Sequence, residues 1–125
     1  MAAVIGAQQK LITKINKRIT SNEKFFSLEF YPPRTLNGTY NLYEKCDRFS
    51  KGQPLFCDVT CDKMKDDRKS NLSVTIASNA QNITMCDSMV QLNAYDLMEH
   101  KAEEILSTFK EHGLSTIMVL MEGMN

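Results

Sequence analysis

Apolar residues along this chain alternate between two periods, one helical and one extended, and the switches mark out its elements. From Ala7 to Ile19, Leu11, Ile12, Ile15 and Ile19 recur at helical spacing, with Lys10, Lys14, Lys17 and Arg18 on the other side. This predicts an amphipathic helix with a solvated basic face. Phe25 to Phe30 reads as a short, aromatic-rich strand stopped by Pro32 and Pro33. A second helix is expected over Asn41 to Lys51, burying Leu42, Tyr43, Cys46 and Phe49 and ending at Gly52. Leu55 to Thr60 is the next strand, and the densely charged stretch Asp62 to Ser70 reads as an exposed loop. A helix from about Leu72 to Ile83 then presents Leu72, Ile76, Ala80 and Ile83. Met89 to Asn93 is the third predicted strand. Leu97 to His112 forms the most strongly patterned helix, with Met98, Ala102, Ile105, Leu106 and Phe109 on one side and Gly113 as its stop. Thr116 to Leu120 is the fourth strand.

The order is thus a helix followed by βαβαβαβ. Strands separated by helices cannot pair as tight hairpins, so the sheet should be parallel with right-handed crossovers. In such α/β folds ligands sit at the carboxyl ends of the strands, which draws attention to Glu29, Thr60, Asn93 and the tail after Leu120. A chain of 125 residues suits one core and is too short for two. The expectation is a single domain, with an N-terminal helix over 1–20 and the strands and helices over 25–120.

Composition narrows the partners. Lys plus Arg and Asp plus Glu both total 15, so the formal charge is zero, with no electrostatic pull toward nucleic acid or an anionic membrane. No apolar run approaches the roughly eighteen residues that a membrane helix needs. The apolar start lacks a basic lead and is too short for a secretion signal, so the expected location is cytoplasmic. Cys46, Cys57, Cys61 and Cys86 form no Cys-x-x-Cys pair, and His100 and His112 lie well downstream. Reduced thiols, and no metal site, are expected. Three Asn-x-Ser/Thr sequons begin at Asn37, Asn71 and Asn82 and are read as chance matches in a chain without a secretion signal.

Glu29 is the sharpest chemical feature. It lies within Ser27-Leu28-Glu29-Phe30-Tyr31-Pro32-Pro33, among apolar and aromatic residues. Desolvation of a carboxylate there would suit it to give or take a proton near neutrality. Composition alone also suits a structural glutamate paired with a basic neighbour such as Arg34. The double proline shifts the balance, because a rigid turn after the strand fixes where Glu29 points.

The run Phe-Ser-Leu-Glu-Phe-Tyr-Pro-Pro-Arg-Thr, followed by Asp-Val-Thr at Asp58 to Thr60 and Ile76-Ala77-Ser78, resembles the N-terminal catalytic domain of the methylenetetrahydrofolate reductase family. The similarity runs from about Phe25 to Leu120. It implies the first half of a TIM-type (β/α)8 barrel with FAD at the strand ends. There the family's flavin takes hydride from NADH or NADPH and reduces 5,10-methylenetetrahydrofolate to 5-methyltetrahydrofolate. By this resemblance Glu29 falls on the catalytic glutamate that protonates the folate, and Thr60 on a threonine near flavin and nicotinamide.

The departures from the family pattern are specific. A His-Met-Thr-type sequence at the end of the third strand contacts FAD in the family. Here those positions are Gln91, Leu92 and Asn93, and Gln91 can hydrogen-bond but cannot carry a positive charge. The fourth strand in the family ends in Arg-Gly-Asp-Pro. Here Gly123 stands at the aspartate, and Glu122 falls one residue out of register. Cofactor contacts are therefore expected from Thr60, Gln91 and Asn93. Four strands are half of a barrel and leave two open edges. The expectation is a partial catalytic domain, inactive alone and without stoichiometric FAD, that self-associates through its edges. The alternative is a non-catalytic half-barrel that binds a full-length reductase or another partner.

Overall fold

In the four strand segments alternate residues turn to opposite sides, and this alternation builds one parallel sheet with one helix-covered face. The computed structural model describes residues 10–60, 67–94 and 102–121, the side chains of 67–71 excepted. Its elements run α1 (Leu11–Thr20), β1 (Ser27–Phe30), α2 (Leu36–Ser50), β2 (Phe56–Val59), α3 (Asp67–Thr84), β3 (Asp87–Asn93), α4 (Ala102–Glu111) and β4 (Thr116–Leu120). The strands lie in the order β1-β2-β3-β4, and each neighbouring pair is parallel. Side chains from α2, α3 and α4 enter a single core with one face of the sheet. Leu42 and Cys46 come from α2, Val74, Ile76, Ala77 and Ala80 from α3, and Ile105 and Phe109 from α4. Against them stand Phe30, Cys57, Val59, Val90 and Leu92. A doubly wound sheet would reverse its strand order at a switch point. Sequential order with the helices in one shared core is the arrangement of half a TIM barrel, left open, as expected.

Several boundaries differ from the pattern reading. Helix α2 starts at Leu36 rather than Asn41, because Thr35 caps it: Gly38 N–H donates to Thr35 Oγ1 at 3.0 Å. Leu36 and Tyr40, near the start of the helix, are exposed, so the apolar period does not register them. The same helix ends at Ser50, and the left-handed residue after it is Gln53, not Gly52. Charged residues 67–70, expected as loop, belong to α3. Residues 61–66, like the expected helical residues 7–9 and 97–101, lie outside the described residues. Phe25 and Phe26 fall outside β1 and are substantially exposed, while β3 begins two residues early at Asp87.

Helix α1 buries only Leu11, and Ile12 and Ile19 are more than half exposed, contrary to an apolar stripe facing a core. Its tether is polar: Lys14 Nζ meets Asp87 Oδ2 at 2.9 Å, tying α1 to the N-terminal end of β3. The end of α4 follows expectation. Gly113 takes φ +77°, its N–H donates to Lys110 O, and Leu114 N–H donates to Phe109 O at 2.9 Å. Leu114 and Phe109 are both buried, which completes the hydrophobic contact of this helix stop. No helix among the described residues is long and apolar enough to cross a membrane.

Candidate functional site

Parallel register decides which polar side chains share a face. Glu29 of β1 stands opposite Asp58 of β2, and Asp58 stands opposite Met89 of β3. Gln91 lies two residues beyond Met89 and Asn93 two beyond that, so all four polar residues project to the face away from the helices. They rise toward the carboxyl ends of the strands, where an α/β fold places its chemistry.

The structure brings Glu29 and Gln91 together. Gln91 Nε2 donates to Glu29 Oε1 at 2.9 Å, reaching over β2 from two strands away. The basic-neighbour pairing with Arg34 is absent: among the described residues Glu29 takes its hydrogen bond from Gln91, and the ion pairs are Lys14–Asp87 and Arg18–Glu23. Glu29 itself is exposed. The desolvation expected there falls instead on its neighbour.

That neighbour, Asp58, is only 7% exposed, and its Oδ1 is buried without a hydrogen-bond partner. Burial raises its pKa above the ordinary carboxylate value, and the nearby Glu29 charge adds to this, while a hydrogen bond with Gln91 opposes it. The sequence reading used Asp58 as part of a motif and gave it no role of its own. A signal was present, because a carboxylate within Leu55-Phe56-Cys57-Asp58-Val59 must be buried on one face or aimed into a site.

Thr60 and Asn93 mark the ends of β2 and β3. Thr60 N–H donates to Phe30 O at 3.0 Å, and its carbonyl accepts from Ser73 Oγ at 3.2 Å, so its backbone locks the end of β2 to β1 and α3. Asn93 is the last residue of β3 and lies opposite Leu120 of β4. Thr60 and Asn93 stand at strand ends beside the Glu29–Gln91 pair. A groove of about 520 Å³ lined by Tyr40, Tyr43, Glu44, Asp47, Arg48 and Ile83 lies on the helix side, away from these strand ends.

Chemically, the cluster combines an accessible carboxylate, an amide that holds it and a buried carboxyl with an open acceptor. Such a set can hold and deliver a proton. Among the described residues no group of three or more His, Cys, Asp or Glu is placed to bind a metal ion.

Comparison with known proteins fits this geometry. Residues 14–123 match the family model described as methylenetetrahydrofolate reductase. The chain is 31% identical over 111 residues to methylenetetrahydrofolate reductase (NADH) 1 of Arabidopsis thaliana, an alignment covering 89% of this chain and 18% of that protein. It is 34% identical over 115 residues to the probable methylenetetrahydrofolate reductase (NADPH) of Caenorhabditis elegans, covering 86% of this chain and 17% of the relative. To methylenetetrahydrofolate reductase 2 of Saccharomyces cerevisiae it is 26% identical, with 89% and 19% covered. The chain therefore spans about a fifth of the length of these relatives. A family match over most of its residues, together with a half-barrel bearing the glutamate motif on its first strand, places this chain in the methylenetetrahydrofolate reductase family.

Proposed function

We propose that the open face of this sheet is the folate-facing part of a partial reductase domain, and that Glu29 is its proton donor. The reaction is reduction of 5,10-methylenetetrahydrofolate to 5-methyltetrahydrofolate in the cytoplasm. The observation that carries it is the hydrogen bond from Gln91 to Glu29 at the strand ends, which aims an exposed carboxyl away from the helices. The names of the relatives include both NADH and NADPH, so either nicotinamide dinucleotide is admitted as donor.

The residues present suit FAD or the folate ring in one testable respect. Asp58 Oδ1 is a buried acceptor without a donor, and ring N–H groups are the donors that both molecules carry. Thr60, Gln91 and Asn93 would hold FAD, which when bound supplies two-electron transfer. Glu29 supplies a proton at its carboxyl, and Gln91 holds that carboxyl by a hydrogen bond. General acid catalysis by a positioned side chain is worth on the order of a hundredfold to ten-thousandfold.

The test grafts residues 1–120 onto the later strands of a full-length reductase and compares Glu29→Gln with the parent. The variant keeps size and hydrogen bonding and loses the transferable proton. The folate half-reaction should fall about a hundredfold or more, with nicotinamide oxidation unchanged. Equal losses in both halves would assign Glu29 to holding the fold or the cofactor.

A second reading, a non-catalytic half-barrel that self-associates, is favoured by β4. Among the described residues it has a neighbour on one side only, its residues are half-buried or exposed, and Val119 is 46% exposed. On this reading the 125-residue chain forms dimers or larger species. A monodisperse monomer by light scattering at micromolar concentration would end it.

A further inference from the structure

Three of the four cysteines fall within the described residues, and they converge on one place in the core, although 40 residues of sequence separate Cys46 from Cys86. Cys57 projects from β2 toward the helices and is fully buried. Cys86 lies in the short turn between the end of α3 at Thr84 and the start of β3 at Asp87. Register explains the meeting: Cys57 pairs with Ser88, and Cys86 lies two residues before Ser88, on the same side. The two Sγ atoms stand 3.6 Å apart, and Thr84 Oγ1 lies 3.1 Å from Cys86 Sγ. A disulfide bond is about 2.05 Å long, so closure needs roughly 1.5 Å of sulfur movement.

The turn supplies that freedom on one side only. Met85 holds a left-handed conformation, φ 59°, and is 86% exposed, which brings the chain to the surface beside Cys86. Cys86 is half-buried, whereas Cys57 and Cys46 are wholly enclosed. One thiol of the pair is reachable and the other waits behind it.

We propose that Cys57 and Cys86 form a reversible dithiol–disulfide site, with Cys86 as the attacking thiol and Cys57 as the resolving one, oxidised by a small disulfide such as glutathione disulfide. The Cys86 thiolate attacks one sulfur of glutathione disulfide. A Cys86–glutathione bond forms, the original S–S bond breaks, and one glutathione thiolate leaves and takes up a proton. Cys57 Sγ then attacks Cys86 Sγ and its proton passes to the departing glutathione sulfur, forming the intrachain bond and expelling the second glutathione as its thiol. Two protein thiols are oxidised and one glutathione disulfide is reduced to two thiols.

The electrostatics agree with Cys86 as the first thiol to attack. The hydrogen bond between the two thiols lowers Cys86 to about 7, within reach of the thiolate at neutral pH. Cys57 is pushed far up, first by that same hydrogen bond and then by burial. Burial also raises Cys46, and it takes no part. Asp87, held by Lys14, and Lys14 itself are the charged groups felt at Cys86.

The test equilibrates the 125-residue chain, carrying Cys61→Ser, with glutathione disulfide at pH 7, followed by acid quench, trypsin and mass spectrometry. Peptide 52–63, which holds Cys57, should be joined to peptide 70–101, which holds Cys86, and excess reduced glutathione should separate them. Cys46→Ser should leave the link intact. Cys57→Ser should stop at a single glutathione on Cys86, and Cys86→Ser should slow loss of the remaining thiols about tenfold or more, because buried thiols are inert. The same oxidation in concentrated urea is the control that needs no variant to fold. The proposal is overturned if the folded chain yields no joined peptide, if Cys57 carries glutathione before Cys86, or if urea leaves the yield of the link unchanged.

Discussion

The two faces of this sheet are built from the same strands and follow opposite rules. On the helix side Cys57, Val59, Val90 and Leu92 are at most 1% exposed, and the neighbours that cover them come from α2, α3 and α4. On the other side Glu29, Asp58 and Gln91 stand one pleat away from those residues, and their partners are each other. One face is settled by apolar area, which is tolerant of detail and insensitive to pH. The other is settled by a few charges and amides whose energies depend on protonation and on what else occupies the face. Stability and chemistry are thus separated by a single residue of register, which is why a barrel strand can change its chemistry without changing its fold.

Truncation on the helix side should have the largest effect. Ile76 is wholly buried between α2 and the sheet, and Ile76→Ala should destabilise the chain by about 3 kcal/mol, seen as a lower urea midpoint at unchanged slope. A loss below about 1 kcal/mol would mean that this face is loosely packed and that the contrast is overstated. Asp58→Asn should act in the other direction. A carboxyl whose pKa is raised by folding favours the native state while protonated, below the free aspartate value of about 4. That contribution is lost as pH rises through the raised value, where the carboxylate forms with one buried oxygen lacking a hydrogen-bond partner. The amide removes the charge, so Asp58→Asn should gain about 1 kcal/mol at pH 7, and the gain should vanish by about pH 4. Urea melts at the two pH values check this, and a gain that persists at low pH would assign it to packing. Glu29→Gln should shift stability least, within about 0.5 kcal/mol, because an exposed side chain has little burial to lose.

How far the sequence could be read follows from the same division. Strand β4 and the stop at Gly113 were legible because a five-residue apolar run and a lone glycine after a periodic helix have few alternative conformations. The start of α2 was not, since Thr35 and Gly38 act through a backbone hydrogen bond and the first turn is exposed. For α1 the periodicity was real but its target was misjudged: the helix is held by Lys14 on Asp87 more than by Ile12 or Ile19. At the site, Glu29 stood out by its motif, and Thr60 and Asn93 by their places at strand ends. The Gln91–Glu29 bond spans 62 residues and depends on a register that no local pattern reveals. Asp58 escaped because burial on the unhelical face looks, in one dimension, like one polar residue in an apolar run.

The stop at the end of α4 acts as a length gauge for the last strand. Its two backbone hydrogen bonds and the buried pair Phe109 and Leu114 hold the chain up to residue 114, and β4 begins only two residues later at Thr116. No slack remains in which an extra residue could be absorbed. One inserted amino acid between Leu114 and Thr116 would move Ile117 from the core face to the open face and carry Met118 the other way. An insertion at this short join should therefore be selected against, however exposed it looks.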